Sequence, residues 1–349
     1  MKVCFYYSFR DQKDWNDSDL EKEGLPGSET AIVHISREMA KRHQVTVYNK
    51  TSREGIYHGV RYRNLQNFDY RNHWDVIMVV RGQPPKLQYV PAKLKLYWSI
   101  EEGSYLVKDW SKVLPHVKKV ITISPFHTEE LIRNTEVPRE KIFQTRLGVN
   151  ESEYQDTFPK VNNKLIYCSV PRKGLDNLAK IFPLVKREVP DASLVITSDY
   201  TLWGRKPQTD EYLKTFSKIP SVSFLGRINR KRLIYEQKTS QLHVYPCVFE
   251  ELFCLSAMEC QAAGTPCVCS DIGALSTTVK DGVTGKLVKM ENGKVPVEEF
   301  AQEIINLLKN PVQLAKMSKA ARERALQKYT YQKIVREWEE SFKCWLQGK

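Results

Sequence analysis

Two glutamates stand eight residues apart in the segment P-C-V-F-E-E-L-F-C-L-S-A-M-E-C-Q-A-A-G, which covers 246–264. Glu251 precedes a stretch, 253–263, whose apolar pattern predicts a helix, and Glu259 lies two turns into that helix. In a continuous helix, eight residues would span about 12 Å and return to nearly the same face. A structural helix normally keeps its acids on the wet face, so this pair indicates a shared ligand.

The spacing suits a ligand that has three polar parts in a row. The free N–H groups and the positive dipole end of a helix start attract phosphate. A nucleoside diphosphate sugar carries its sugar at one end, its ribose at the other and its diphosphate between them. Glu251 would then hold sugar hydroxyls and Glu259 ribose hydroxyls, with phosphate over the helix-start amides. Since two glutamates at this separation also occur by chance, the surrounding residues must decide.

Short apolar strands alternate with longer amphipathic helices along the chain. In 28–43, for example, apolar residues recur at helical spacing, and H-Q-V-T-V-Y follows as the next strand. Such βαβ alternation predicts an α/β fold with mostly parallel sheets and helices on both faces.

The alternation restarts after about residue 160, which indicates two domains. The polar stretch 150–163 has no periodicity and is interpreted as a linker. We predict a first domain over 1–155 and a second over 156–330. The remaining helical segment, 331–349, is predicted to pack back on the first domain.

The block that begins at Glu251 resembles the donor-binding half of retaining GT-B glycosyltransferases of family 4, the glycosyl transferases group 1. That family has the pattern P-S-x-x-E-x-F-G-L-x-x-L-E-A-M-A-x-G-x-P-V-V-x-S-x-x-G-G-x-x-E-x-V-x-x-G-x-x-G. The positions of this chain that match the pattern are Glu251, Phe253, Leu255, Glu259, Gly264, Pro266, Ser270, Gly273, Gly282 and Gly285. Three positions depart from it: Cys254 and Ala274 replace glycines, and Thr277 replaces a common Glu.

The resemblance implies a GT-B fold, in which two Rossmann-like domains face each other across a cleft. It implies an enzyme that moves a sugar from a nucleotide diphosphate sugar to a glycan, lipid-linked or other hydroxyl acceptor, with retention of configuration. In this chain the resemblance assigns catalysis to Glu251 and donor binding to Phe253, Cys254, Leu255 and Glu259. It leaves the sugar, the base and the acceptor unspecified.

Three further segments are similar to family motifs. Y-C-S-V-P-R-K-G-L-D-N-L resembles the segment whose basic residue neutralises the leaving diphosphate, which makes Arg172 and Lys173 catalytic candidates. The motif is shortened here, so either residue is able to face the ligand, and a solvated basic turn is the alternative. V-S-F-L-G-R-I and G-L-P-G-S-E-T-A resemble the turns that assign donor contacts to Gly226 and Gly27.

The segment L-Y-W-S-I-E-E-G corresponds to a strand that ends in His-Asp in many relatives. Here Ile100 takes the place of the histidine. Glu101 or Glu102 is a candidate acceptor base or ligand contact, and a capping pair of acids is the alternative. Arg81, at the end of V-I-M-V-V-R-G, is a candidate acceptor or phosphate contact or else a member of an ion pair.

The net charge of +13 calls for an acidic partner. No segment resembles a nucleic-acid-binding motif, so nucleic acid is not an expected partner. The last 39 residues carry 9 Lys and Arg against 4 Asp and Glu, which favours peripheral contact with an anionic membrane. No apolar run approaches the roughly 20 residues of a membrane span. We therefore predict a cytoplasmic protein that is able to associate with a membrane surface.

Metal and disulfide chemistry are not expected. The eight cysteines lack paired C-x-x-C spacing, and Cys4, Cys168, Cys267 and Cys269 lie in apolar runs, as expected for buried thiols in a reducing compartment. The seven histidines show no metal-ligand spacing. The D-S-D at 17–19 matches a metal-binding motif of another glycosyltransferase fold but lies in a polar loop. The sequence thus predicts no metal and no cofactor beyond the nucleotide sugar as co-substrate.

Two other functions use the same fold. One is a non-catalytic module that binds a sugar nucleotide or a glycan, which the missing histidine and the Gly-to-Cys change favour. The other is a sugar-nucleotide epimerase, which would alter the donor sugar without an acceptor.

Overall fold

A computed structural model describes residues 1–9, 13–102, 107, 109–197, 199–203 and 210–348. The described chain forms two units. The first unit consists of 1–20, 28–147 and 331–349, and the second of 21–27 and 148–330. Each unit is built on one sheet of mostly parallel strands, which confirms the predicted α/β class.

Helices follow most of the strands, as the alternation of the sequence predicts. The α-helices among the described residues are α1 (Asp19–Lys22), α2 (Gly27–Ala40), α3 (Pro125–Asn134), α4 (Leu175–Glu188), α5 (Asp210–Phe216), α6 (Arg230–Thr239), α7 (Leu255–Ala262), α8 (Leu275–Thr278), α9 (Val297–Leu308), α10 (Pro311–Lys328) and α11 (Tyr331–Leu346). None of them is long and apolar enough to cross a bilayer.

The first unit contains an eight-stranded sheet. Its strands are β1 (Lys2–Ser8), β2 (Gln44–Asn49), β3 (Gly55–Tyr57), β4 (Val60–Asn64), β5 (Trp74–Gly82), β6 (Ala92–Trp98), β7 (Lys119–Thr122) and β8 (Ile142–Gln144). They lie in the order β3-β4-β2-β1-β5-β6-β7-β8, and the edge pair β3–β4 is antiparallel. The continuous apolar run of β5 is buried, as expected for a parallel strand that helices cover on both faces.

The C-terminal helix α11 packs within the first unit. Trp338 is fully buried, its indole N–H donates to Thr145 Oγ1 over 2.9 Å, and its ring meets Trp98 edge-on at 5.1 Å between centroids. A buried aromatic pair with a satisfied indole N–H is a strong packing contact. The chain therefore returns to its N-terminal unit after passing through the second one.

The second unit contains a six-stranded, fully parallel sheet. Its strands are β9 (Lys164–Cys168), β10 (Ser193–Thr197), β11 (Val222–Gly226), β12 (Leu242–Tyr245), β13 (Cys267–Asp271) and β14 (Gly285–Lys289). They lie in the order β11-β10-β9-β12-β13-β14. The order reverses between β9 and β12, and the carboxyl edge at such a switch point is where ligands bind in open α/β sheets.

Candidate functional site

The loops that follow β9 and β12 bring a lysine, a glutamate and a tyrosine together. Lys173 Nζ donates to Glu251 Oε1 over 2.6 Å, and the Tyr245 hydroxyl donates to the same oxygen, also over 2.6 Å. Burial alone would lower the pKa of Lys173, but the charge of Glu251 and this hydrogen bond outweigh it and raise the pKa above its usual value. A fixed positive charge therefore lies beside a carboxylate at the switch point.

Two glycines allow the backbone to approach closely around this pair. Gly174, directly after Lys173, has a φ of +118°, and a Cβ there would lie 2.3 Å from the carbonyl oxygen of Pro246. Gly273 has a φ of +56°, and a Cβ there would lie 2.6 Å from the backbone nitrogen of Glu251. A side chain at Gly174 would push the loop after β9 away from the loop after β12. A side chain at Gly273 would do the same to the loop after β13. Both glycines therefore help to set the geometry of the ion pair.

Arg172 and Lys173, the two candidate partners of the diphosphate, have different surroundings. Arg172 is exposed, and its guanidinium carbon lies 5.3 Å from the centroid of the Phe249 ring. Lys173 is partly buried in the ion pair with Glu251. This difference favours Lys173 as the residue that faces the diphosphate, while Arg172 stays a candidate for the same role.

Helix α7 begins at Leu255, two residues later than the sequence predicted. Cys254 adopts a φ of +67° and a ψ of +78°, and this left-handed conformation prevents the helix from extending backwards. Phe253 therefore belongs to the loop, where it is 4% exposed and its carbonyl accepts a hydrogen bond from the Thr278 hydroxyl. The family pattern has glycine in place of Cys254, and the positive φ is the physical reason for that preference.

We expect Cys254→Gly to be more stable than Cys254→Ala by about 1 kcal/mol. Both variants lose the buried thiol, but only glycine relieves the left-handed backbone. At a residue with ordinary backbone angles the order is the reverse, because glycine loses more entropy on folding. Urea unfolding of the two variants measures the difference, and Ala262→Gly, in the last turn of α7, is the control that should be destabilised. An alanine variant as stable as the glycine variant would show that Cys254 is not left-handed in solution.

Glu259 is buried and engaged by side chains from α6. It is 5% exposed, Arg230 Nη1 donates to its Oε1 over 2.6 Å, and Gln237 Nε2 donates to its Oε2 over a longer 3.4 Å. Arg230 also donates to Glu153 Oε2 over 2.7 Å, so its guanidinium bridges two carboxylates. Burial opposes the charge of Arg230, but the two carboxylates outweigh it and raise its pKa. The predicted ribose contact is thus an ion-paired group whose role as a ligand contact stays a prediction.

The two predicted donor-side glycines also lie in the second unit. Gly226 ends β11 with a φ of +61°, and the next residue, Arg227, donates through Nη2 to the carbonyl oxygen of Gly24 over 2.6 Å. This contact holds the N-terminal glycine-rich segment at the end of β11. A Cβ on Gly27 would lie 3.7 Å from Leu255 Cδ2, so that segment also borders the start of α7.

The predicted acceptor-side residues lie in the first unit, and the structure joins two of them. Arg81 Nη2 and Glu101 Oε1 form an ion pair at 2.6 Å, whereas Glu102 is exposed. Arg81 Nη1 also donates to the Tyr7 hydroxyl over 3.3 Å, which in turn donates to Glu29 Oε1 over 2.7 Å. Tyr7 was not predicted from the sequence, because an aromatic residue in an apolar strand normally indicates core packing.

Ile100 is buried, at 6% exposure, in the place where many relatives carry a histidine. A histidine does lie nearby: His127 Nε2 is 3.2 Å from Ser99 Oγ, and its Nδ1 accepts the backbone N–H of Ile123 over 3.3 Å. Burial lowers the pKa of His127 to about 4, so its ring is neutral. The two ring nitrogens of His127 thus join α3 to the residues that follow β6 and β7.

The D-S-D segment uses its carboxylates within the first unit. Asp17 Oδ1 lies 2.6 Å from Arg37 Nη2, and Asp19 Oδ2 lies 2.6 Å from Arg53 Nη2. Each carboxylate is therefore paired with an arginine, Asp17 just before α1 and Asp19 as the first residue of that helix.

Comparison with known families gives a match for the second half of the chain. The family model of glycosyl transferases group 1 matches residues 154–324. Among curated proteins, the chain is 24% identical over 241 residues to MMP alpha-(1->4)-mannosyltransferase of Mycolicibacterium hassiacum, covering 66% of this chain and 56% of the relative. It is 30% identical over 177 residues to the GDP-mannose-dependent monoacylated alpha-(1-6)-phosphatidylinositol monomannoside mannosyltransferase of Corynebacterium glutamicum. This match covers 48% of this chain and 43% of the relative. The chain thus spans about half the length of these relatives.

Solved structures match the chain from end to end. Sucrose-phosphate synthase from Thermosynechococcus elongatus aligns with a TM-score of 0.75 and 16% identity over 100% of both chains. Anabaena Alr3699/HepE in complex with UDP and glucose aligns with a TM-score of 0.72 and 15% identity, over 99% of this chain and 100% of the other. These likenesses confirm the predicted GT-B fold.

Proposed function

Because residues 154–324 belong to the glycosyl transferases group 1, we propose that this chain transfers a sugar from a nucleotide diphosphate sugar to a hydroxyl acceptor. The observation that carries the proposal is the Lys173–Glu251–Tyr245 cluster, which lies at the switch point of the second sheet, just ahead of α7. The mannosyltransferase names of the two relatives support the same reaction class. We also propose that configuration is retained and that no metal takes part in the transfer.

In the proposed reaction the bond between the anomeric carbon and the β-phosphate oxygen breaks, and the nucleoside diphosphate leaves with its electron pair. The acceptor hydroxyl oxygen bonds to the anomeric carbon from the same face, and its proton passes to the oxygen of the departing diphosphate. Lys173 offsets the negative charge that develops on the leaving diphosphate, which is where preorganised charge lowers a barrier most. Glu251 binds sugar hydroxyls, and backbone N–H groups at the start of α7, which have no intrahelical partner, bind phosphate.

On the acceptor side we propose that Arg81, Glu101 and Glu102 contribute to binding. The Arg81–Glu101 ion pair fixes both side chains, while the exposed Glu102 is free of that pair and suits contact with an acceptor hydroxyl. A glycan or a lipid-linked sugar is the proposed acceptor class. The name of the Corynebacterium glutamicum relative refers to a lipid acceptor, and the net charge of +13 favours peripheral contact with an anionic membrane.

A binding module without catalysis is the second candidate. The observation in its favour is Ile100, an apolar and buried side chain where many catalytic relatives have a histidine.

A panel of nucleotide sugars tests the proposal. We expect one member to raise the melting temperature, because a ligand at 100 times its dissociation constant stabilises the native state by about 2.7 kcal/mol. The same compound should be hydrolysed slowly to a nucleoside diphosphate and free sugar. The matching nucleoside monophosphate, which lacks the diphosphate and the sugar, is the control and should stabilise less.

The alternatives give different outcomes in the same assay. Tight donor binding without hydrolysis, and without transfer to any acceptor, would establish the binding module. A donor whose sugar changes in the absence of an acceptor would establish an epimerase. No stabilisation by any nucleotide sugar would overturn the proposal.

A further inference from the structure

Two cysteines and a histidine meet in the interior of the second unit. The Sγ atoms of Cys168 and Cys260 and a ring nitrogen of His243 all lie within 4.8 Å of one another. Cys168 ends β9, His243 lies in the neighbouring strand β12, and Cys260 lies on α7, which packs against the sheet. His243 and Cys260 are fully buried, and Cys168 is partly exposed. Three different elements therefore supply the cluster, which is why no sequence spacing revealed it.

His243 lacks the hydrogen bonds that a buried imidazole needs. Neither Nδ1 nor Nε2 has a hydrogen-bond partner among the described residues, although the side chain is inaccessible to solvent. Buried polar atoms are nearly always bonded, so an unbonded ring of this kind requires an explanation. Burial lowers the pKa of His243 to about 3, which leaves the ring neutral at pH 7 with a lone pair on one nitrogen. A neutral imidazole is the form that binds metal.

We propose that Cys168, His243 and Cys260 bind a thiophilic divalent cation of the Zn²⁺ type. Zinc binds thiolate sulfur and imidazole nitrogen at distances that place neighbouring ligand atoms about 3.5–3.8 Å apart in a tetrahedron. Because 4.8 Å is the upper limit of the separations, a contraction of at most about 1 Å would bring the ligand atoms to tetrahedral spacing. A bond to the cation also satisfies one of the orphaned nitrogens of His243.

The charges of this site balance when both thiols lose their protons. Binding forms two metal–sulfur bonds and one metal–nitrogen bond and releases two protons, and the two thiolates neutralise the divalent charge. Burial raises the pKa of Cys260, so in the absence of a cation its thiol is protonated. The fourth position falls to water, which leaves the charge balance unchanged.

The site would connect the two segments that carry the candidate chemistry. Cys168 precedes Lys173 by five residues on the same strand and loop, and Cys260 directly follows Glu259 on α7. A bound cation would therefore fix β9 to α7. This inference does not depend on the proposed transfer reaction, because it rests only on the arrangement of Cys168, His243 and Cys260.

Cobalt and zinc titrations of the reduced, metal-free full chain test the proposal. We expect one Co²⁺ per chain, with thiolate-to-cobalt charge-transfer absorption and the intense visible bands of tetrahedral Co²⁺, and a higher melting temperature with Zn²⁺. Cys168→Ala is the preferred ligand variant, because its side chain is partly exposed, and it should weaken Zn²⁺ binding by at least about tenfold. Cys4→Ala, at a buried cysteine of the first unit, and Cys344→Ala, at an exposed one, are matched controls that should bind as the wild type does.

A second measurement does not rely on variants. Zinc-edge X-ray absorption of the wild-type complex should show at least two sulfur ligands and one imidazole nitrogen. The proposal is overturned by any of three results: no tetrahedral cobalt spectrum, a spectrum that Cys344→Ala abolishes, or binding that Cys168→Ala leaves unchanged. A Cys168–Cys260 disulfide in a protein that binds no Co²⁺ after reduction would also overturn it.

Discussion

Replacing Lys173 by methionine is expected to lower kcat by about 10²–10³-fold, the loss typical when one preorganised charge-stabilising group is removed. The ammonium lies 2.6 Å from Glu251 at the carboxyl edge of the second sheet, and its pKa is raised, so Lys173 is charged at pH 7 in the free protein. In the proposed reaction, this charge matters most when the diphosphate leaves. Donor affinity should therefore fall much less than kcat, which steady-state kinetics and calorimetric titration of the donor would separate.

Two control variants separate this effect from a general loss of positive charge. Lys180→Met removes the same charge from an exposed residue of α4 and should leave kcat unchanged. Arg172→Met removes the exposed neighbour over Phe249 and should have a smaller effect than Lys173→Met. If Arg172→Met lowered kcat and Lys173→Met did not, Arg172 and not Lys173 would be the residue that offsets the charge of the diphosphate. If both variants transferred sugar at the wild-type rate, the diphosphate would have no basic partner in this loop.

Much of the fold could be predicted from the sequence, because segments with a long apolar periodicity form the strand or helix that the period indicates. The parallel strands β1, β5 and β9 and the helices α2 and α4 agree with the apolar patterns of their segments. The strands β3, β4 and β14 were not predicted, because they are short or rich in polar residues. β14 reads G-K-L-V-K and β3 has three residues, so neither carries a pattern that distinguishes a strand from a loop.

The candidate site was predictable where its residues are local in sequence. Glu251, Lys173 and the glycines around them were found through spacing and family resemblance, and the structure brings Lys173 and Glu251 together. Arg230 was not found, since it is 29 residues from Glu259 and stands on another helix. Tyr245 was not found either, because a tyrosine in a buried strand is normally part of the core. Such partners are determined by tertiary packing, which spacing does not encode.

Removing the Glu259 carboxylate should affect stability and donor recognition together. Glu259→Ala is expected to lower the free energy of unfolding by about 3 kcal/mol, the lower end of the cost of breaking a buried ion pair, because Glu153 still offsets Arg230. Glu259→Gln keeps the volume and should cost less. Urea unfolding at pH 7 measures both values.

The predicted contact between Glu259 and the ribose requires a test whose result does not change when only the stability of the fold changes. If Glu259 binds a ribose hydroxyl, the 2′-deoxy form of the preferred nucleoside diphosphate should bind the wild type about tenfold or more weakly, since a hydrogen bond to a charged group contributes about 1.5–3 kcal/mol. Glu259→Gln should then lose most of this discrimination. Glu153→Gln also disturbs Arg230 and should cost stability, but it should keep the preference for ribose. The long 3.4 Å contact from Gln237 leaves Oε2 the oxygen most easily exchanged for a ligand hydroxyl. If Glu259→Gln discriminated as well as the wild type, Glu259 would serve only to neutralise Arg230.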